Sequence, residues 1–156
     1  MASLLPFEKN ISYFTVPVAL FLALVPRVYS GISGPGKKLF DRHRPRDFTQ
    51  TLKNADIDEE LRDRLLRAEG CSANGFEVLP VFAAAVTAGN SAGVPARTMN
   101  LLSVGWISSR VVYTYVYIWY QGREKLAAGQ SPLRFKVWTF GAGLCMSMFV
   151  LAGLRA

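Results

Sequence analysis

Cysteine, histidine and acidic side chains are scarce in this sequence, and each scarcity narrows what the chain can be. There are two cysteines, Cys71 and Cys145, in 156 residues. Both stand in helical-looking stretches, which excludes a disulfide-stapled scaffold. The single histidine, His43, lies among arginines in a polar connector, where it is expected to face solvent or lipid headgroups, and no metal site is expected. Eleven acidic residues against eighteen Lys and Arg leave a net charge of +7. Such a surplus suits nucleic acid in principle. Here, however, the basic residues cluster beside apolar stretches, where they suit anionic headgroups and topology signals, so no nucleic-acid partner is expected. Repeats and low-complexity tracts are also absent, and the length fits one domain, 1–156.

What the chain has in abundance is long apolar sequence, 51% of its residues by composition. Four runs are expected to be transmembrane helices, at about 11–29, 76–94, 101–120 and 132–154. Each is long enough to cross a hydrocarbon core of ~30 Å at 1.5 Å per residue. The reading is an all-α, integral membrane four-helix bundle. The flank Pro26-Arg27 offers no small-residue cleavage pattern, so the first run is expected to be a span, mildly kinked at Pro17. The connector 30–56 carries Gly34-Pro35-Gly36 and Asp41-Arg42-His43-Arg44-Pro45-Arg46-Asp47, which is loop chemistry. Asp56 or Asp58 is expected to cap the second helix, whose polar start (Glu59–Arg67) should project from the bilayer. Pro95 closes the second span or opens the third helix. Trp119 and Tyr120 suit an interfacial belt, and Gly141 and Gly143 suit close helix approach.

Charge sets the expected topology. The first connector carries Arg27, Lys37, Lys38, Arg42, Arg44, Arg46 and Lys53, and the third carries Arg123, Lys125, Arg134 and Lys136, against Arg97 alone in the second. The positive-inside rule places connectors one and three in the cytosol, and both termini opposite.

Polar residues interrupt the apolar runs at helical spacing. Asn74 and Glu77 are an i, i+3 pair, and Arg110, Tyr113 and Tyr117 step by three and then four, so each set shares a helix face. Ionisable residues inside a membrane cost roughly 2.5–3.5 kcal/mol or more and are functional candidates by default. Glu77 and Arg110 fall at comparable depth and are expected to pair. The plainer alternative is that Asn74, Glu77 and Arg110 are polar contacts holding helices together; Cys71, three residues from Asn74, is a candidate nucleophile or, more plainly, an inert buried thiol.

These residues resemble a known family, the membrane-associated proteins in eicosanoid and glutathione metabolism. The resemblance rests on Arg67-Ala68-Glu69, then Asn74-x-x-Glu77-x-x-Pro80 and Phe82-Ala83-Ala84-Ala85. It continues through Arg110-x-x-Tyr113-x-x-x-Tyr117 and Arg134 at the start of the fourth run. The connector Phe40-Asp41-x-x-x-Pro45-Arg46 is similar to the bacterial and fungal branch. The resemblance implies a homotrimer with glutathione sites between subunits, open to the cytosol. It also implies an endoplasmic reticulum location in a eukaryote or the inner membrane in a bacterium. Arg27, Arg67, Asn74, Glu77, Arg110, Tyr113 and Tyr117 would bind glutathione. Arg134 would stabilise the thiolate, with Tyr117 and Arg110 beside it as catalytic groups, and the sulfur would attack a lipophilic electrophile. The chemistry is apt: arginine grips carboxylates bidentately, an amide answers an amide, and a nearby cation lowers a thiol pKa.

The pattern departs from relatives at three positions, one being Tyr113, which is shared with leukotriene C synthases where prostaglandin E synthases have histidine. Where several carry an arginine four residues before the asparagine, this chain has Gly70, and where prostaglandin E synthases have a serine after the fourth-helix arginine, it has Phe135. Two alternatives therefore stay beside the glutathione transferase or glutathione-dependent peroxidase/isomerase reading. One is a glutathione-independent isomerase or cyclase using the Glu, Arg and Tyr groups on a hydrophobic metabolite. The other is a non-catalytic lipid-binding scaffold.

Overall fold

The computed structural model describes residues 9–125 and 127–156, and among them there is helix and no strand. Four long helices, α1 (Thr15–Ile32), α4 (Glu59–Ser91), α5 (Ala96–Tyr115) and α6 (Leu133–Gly153), form the bundle, and two short ones, α2 (Gly36–Leu39) and α3 (Phe48–Asn54), lie in the first connector. Around the bundle α1 packs on α4, α4 on α6, α6 on α5 and α5 on α1, with α4 and α5 also touching across the middle.

The packing inverts the pattern of a soluble helix. On α1 the buried positions are small: Ala19 and Ala23 are each 4% exposed, followed by Pro26 and Ser30. The large residues Phe14, Val18, Phe21, Val25, Val28 and Ile32 point outward, Phe21 being 67% exposed. Small residues let helix backbones approach closely where lipid, not water, surrounds them. Ala23 sits so close to α4 that a Cβ on Gly75 would come within 2.9 Å of its own Cβ, and Ser72 Oγ donates to the Ala23 carbonyl at 2.7 Å. The bundle core is Phe82, Val86, Met99, Trp106 and Met148, with the Phe82 and Trp106 rings stacked at 3.8 Å.

Among the described residues, three helical stretches are long and apolar enough to cross a membrane: Ser12–Ile32, Glu59–Ser91 and Leu133–Gly153. The third expected span, α5, is a 20-residue helix of lower hydropathy, because Asn100, Ser103, Ser109 and Arg110 occupy its buried face. Helix α4 runs 33 residues, roughly 50 Å, so its first turns extend beyond a ~30 Å core, as its polar start implies. Asp58 caps it by accepting from the Leu61 N–H at 2.9 Å, and Pro95 is the N-cap of α5.

Four expectations need correcting. Pro17 falls in the first turn of α1, where a missing N–H costs nothing and gives no cause for a kink; the interior proline is Pro26. The connector 30–56 is not all loop, because Phe48 and Leu52 of α3 bury against Leu65 of α4. Gly143 faces open space, whereas Gly141 makes the close approach. Finally, the third run does not stay α-helical, and Val116–Tyr120 form a π-helical turn.

The end of the bundle holding the start of α1 is tied by asparagines. Asn100 accepts from the Ile11 N–H at 2.9 Å and donates to the Lys9 carbonyl at 2.8 Å. Asn90 donates to Ser12 Oγ at 2.9 Å and to the Val86 carbonyl at 2.8 Å.

Candidate functional site

The opposite half of the bundle holds the site. A cavity of about 320 Å³ opens between α4, the end of α5 and the start of α6. Asn74 and Glu77 reach it from α4, Tyr113 from α5, Tyr117 from the π turn and Arg134 from the first turn of α6, with Phe135 and Trp138 beside them. The helical spacing read from the sequence brings these five expected residues together. Trp138 was not anticipated: one aromatic in an apolar run carries no signal that separates a cavity wall from a lipid-facing side chain.

The π turn is what positions Tyr117. Widening the helix by a residue there shifts the side chains that follow, and such turns recur at functional sites. Arg67 Nε donates to the Ile118 carbonyl at 3.1 Å, holding the turn against α4. Tyr117 then rests its hydroxyl on Gly70, where a Cβ would come within 2.8 Å of it. Gly70, with no side chain, leaves room for this hydroxyl.

Cations and rings alternate through the site. The Arg110 guanidinium lies 5.3 Å from the Trp106 ring centre and 4.9 Å from that of Tyr113. Tyr113 meets Tyr117 edge to face at 5.5 Å, and Arg134 lies 4.5 Å over Tyr117. Each cation–π contact contributes about 0.5–2 kcal/mol, more where water is excluded, so the ladder holds both arginines in place without neutralising them.

Arg110 borders a second cavity, about 190 Å³, with Glu77, Val81, Trp106, Trp138, Cys145 and Met146 on its walls. Glu77 and Trp138 line both cavities. Glu77 and Arg110 border the same space without forming the expected ion pair; the buried carboxylate in an ion pair is Glu69, 3.7 Å from Arg27. Glu69 also accepts from Ser30 Oγ. Two polar atoms of the site stay buried without a partner, Asn74 Oδ1 and Arg110 Nε. Buried polar groups are nearly always satisfied, so these two atoms are open to a partner from outside the chain.

The remaining expected site residues lie elsewhere in the chain. Arg67 borders a separate cleft of about 140 Å³ with Glu60, Asp63, Arg64, Trp119 and Arg123. Arg27 donates to the Pro45 carbonyl and pairs with Glu69. The role of Glu69 as the partner of Arg27 was not foreseen, since 42 residues of connector and helix separate them in sequence. Cys71 and Cys145 are free and buried, and no metal-binding cluster occurs among the described residues.

A family model described as MAPEG family matches residues 12–154. No curated protein and no solved structure gives a match. The family match spans nearly the whole chain, and the chain belongs to the MAPEG family. With its three long apolar helices, it is an integral membrane protein associated with lipid.

Proposed function

From that membership, we propose that the protein is a membrane-bound glutathione transferase or glutathione-dependent peroxidase/isomerase acting on a lipophilic electrophile. The observation that carries this reading is the convergence of Asn74, Glu77, Tyr113, Tyr117 and Arg134 on one cavity. Glutathione presents two carboxylates, an ammonium, two amides and a thiol. Glu77 takes the ammonium, the unpartnered Asn74 oxygen accepts an amide N–H, and the tyrosine hydroxyls donate to a carboxylate. Arg134 holds the sulfur. It sits in the first turn of α6, where the positive end of the helix dipole adds to its own charge, and both favour thiolate over thiol. The thiolate then attacks the electrophile. Arg110, behind Tyr113, supplies positive potential from the adjoining cavity, while Arg67 and Arg27 act at one remove, holding the π turn and the first connector.

The same reading includes a fourth span in α5 and a homotrimer. Glu77 is exposed on the isolated chain at a depth of apolar sequence. Its neighbours along that face are Ala73, Pro80, Ala84 and Thr87, small residues suited to a second helix rather than to lipid. Covering this face with another subunit removes a carboxylate from hydrocarbon and closes the cavity. A eukaryotic chain of this kind resides in the endoplasmic reticulum and a bacterial one in the inner membrane.

A second reading rests on Phe135 and Gly70, which place a ring and a backbone where relatives have polar groups. It is a glutathione-independent isomerase or cyclase using Glu77 and the tyrosines as acid and base. Calorimetry with glutathione, with thiolate absorbance followed in parallel, separates the two. Binding with thiolate formation supports the transferase-type mechanism. A folded trimer that binds no glutathione removes it and leaves the acid–base reading.

A further inference from the structure

The second cavity shares Glu77 with the first and adds Arg110 and a free thiol, Cys145, which the glutathione reading leaves without a role. Arg110 is 6% exposed, its guanidinium carbon lies 5.3 Å from the Trp106 ring centre and 4.9 Å from that of Tyr113, and its Nε has no acceptor. No carboxylate among the described residues lies within ion-pairing distance of it. A guanidinium held by cation–π attraction keeps N–H groups available to an acceptor in the space it borders. Cys145, 4% exposed and free, lines the same space, as does the Glu77 carboxylate. The cavity rim carries Val81 and Met146, which are 44% and 48% exposed on the apolar outer surface. An apolar rim of this kind suits a lipophilic ligand.

We infer that this cavity is a second reactive centre, in which a lipophilic α,β-unsaturated carbonyl compound binds with its oxygen on Arg110 and alkylates Cys145. Glu77 takes the thiol proton. The sulfur forms a bond to the β-carbon, the carbon–carbon π pair moves, and the negative charge arrives on the carbonyl oxygen facing Arg110. Glu77 then returns the proton to the α-carbon and the carbonyl re-forms. The net change is addition of S–H across the double bond, with no atom left over and no co-reactant. Preorganised positive charge at the point where an oxyanion develops is the strongest form of electrostatic assistance in a dry site. A neutral carbonyl fits better than a carboxylate, because a ligand already anionic would enter against the charge of Glu77. With the enone, negative charge appears on the oxygen only while Glu77 holds the proton. The reaction needs no glutathione.

The test exposes the purified protein in lipid nanodiscs to trans-2-nonenal without glutathione and maps adducts by mass spectrometry. One adduct per chain on Cys145, with Cys71 unmodified over the same interval, is the expected result. Arg110→Gln should slow the reaction about a hundredfold, the usual cost of losing an oxyanion donor. It should slow alkylation by benzyl bromide much less, since that reagent has no oxygen to hold and loses only the help the Arg110 charge gives the thiolate. Glu77→Gln should slow both reagents, since both need the thiolate. On the unaltered protein the saturated ketone 2-nonanone should protect Cys145, a measurement independent of how the variants fold. Equal labelling of Cys71 and Cys145, no protection by the ketone, or equal slowing of both reagents by a folded Arg110→Gln protein would overturn the inference.

Discussion

Asparagines at the two ends of this bundle meet opposite circumstances. At the end where α1 begins, Asn100 is fully buried and bonded to both Ile11 and Lys9, and Asn90 bonds to Ser12 and Val86. At the other end Asn74 keeps a buried oxygen without a partner, and Arg110 keeps a buried nitrogen likewise. The first group closes a structure, because each donor and acceptor is answered within the chain. The second leaves valences open around two cavities. An unanswered polar atom costs about 1–3 kcal/mol, so the chain tolerates at the site what it excludes at the knot. Polar residues in apolar helices are therefore not one class, and substitutions at the two ends should separate into effects on chemistry and effects on stability.

The largest effect should come at the open end. Arg134→Ala removes the cation stacked over Tyr117, and with it the charge that favours thiolate. Glutathione-dependent turnover should fall about a hundredfold, the scale of losing one preorganised electrostatic partner. The thiolate absorbance of bound glutathione should disappear, while the unfolding temperature moves little. Retained thiolate absorbance in Arg134→Ala would assign activation to another group, with Arg110 the next to test.

At the closed end the pattern reverses. Asn100→Ala strands the Ile11 N–H and the Lys9 carbonyl, and two lost hydrogen bonds should cost about 2 kcal/mol of stability. Thermal unfolding should show this, and glutathione affinity of the folded fraction should not change. A weakened affinity would mean that the knot and the site communicate through α4 or α5.

Glycines offer a finer comparison on a single helix. A Cβ at Gly141 would fall on the Arg110 guanidinium and within 2.7 Å of Ser109 Oγ, whereas Gly143 faces nothing within 4 Å. Gly141→Ala should cost about 1–2 kcal/mol by overpacking and should disturb the cavity that Arg110 borders. Gly143→Ala should be neutral or stabilise α6 by up to about 1 kcal/mol through helix propensity. Equal unfolding temperatures for the two variants would show that Arg110 is free to move aside.

The contrast between the ends was only partly legible in the sequence. Apolar runs broken by Pro95 and Pro132 located the helices, because membrane-length hydrophobicity is a local signal. The i, i+3 and i, i+4 spacings placed Asn74 with Glu77 and Tyr113 with Tyr117, because helical geometry converts spacing into a shared face. The pairing of Arg110 with Glu77 failed for a different reason. Comparable depth does not fix rotamers, and the Arg110 guanidinium is held by cation–π contacts with Trp106 and Tyr113 rather than by the carboxylate. The π turn at Val116–Tyr120 left no mark in a run of aromatic and β-branched residues that suits an ordinary α-helix equally well. Its support comes from Arg67, 51 residues away. Which asparagines would be answered and which left open also depends on contacts distant in sequence, such as that of Asn100 with residues 9 and 11.

The smallest expected effect is the most discriminating. Asn74 carries an unpartnered oxygen, so Asn74→Ala removes a buried group that contributes no bond to the unliganded fold. Its unfolding temperature should stay level or rise slightly. In the liganded protein the same oxygen accepts an amide N–H, and its loss should weaken glutathione binding about fivefold, the worth of one hydrogen bond near 1 kcal/mol. Asn100→Ala should show the reverse, a loss of stability with unchanged affinity. If Asn74→Ala instead lowers the unfolding temperature as much as Asn100→Ala does and leaves affinity alone, then Asn74 is interhelical polar glue within the assembly. The open valence would then be filled by a neighbouring subunit rather than by a substrate.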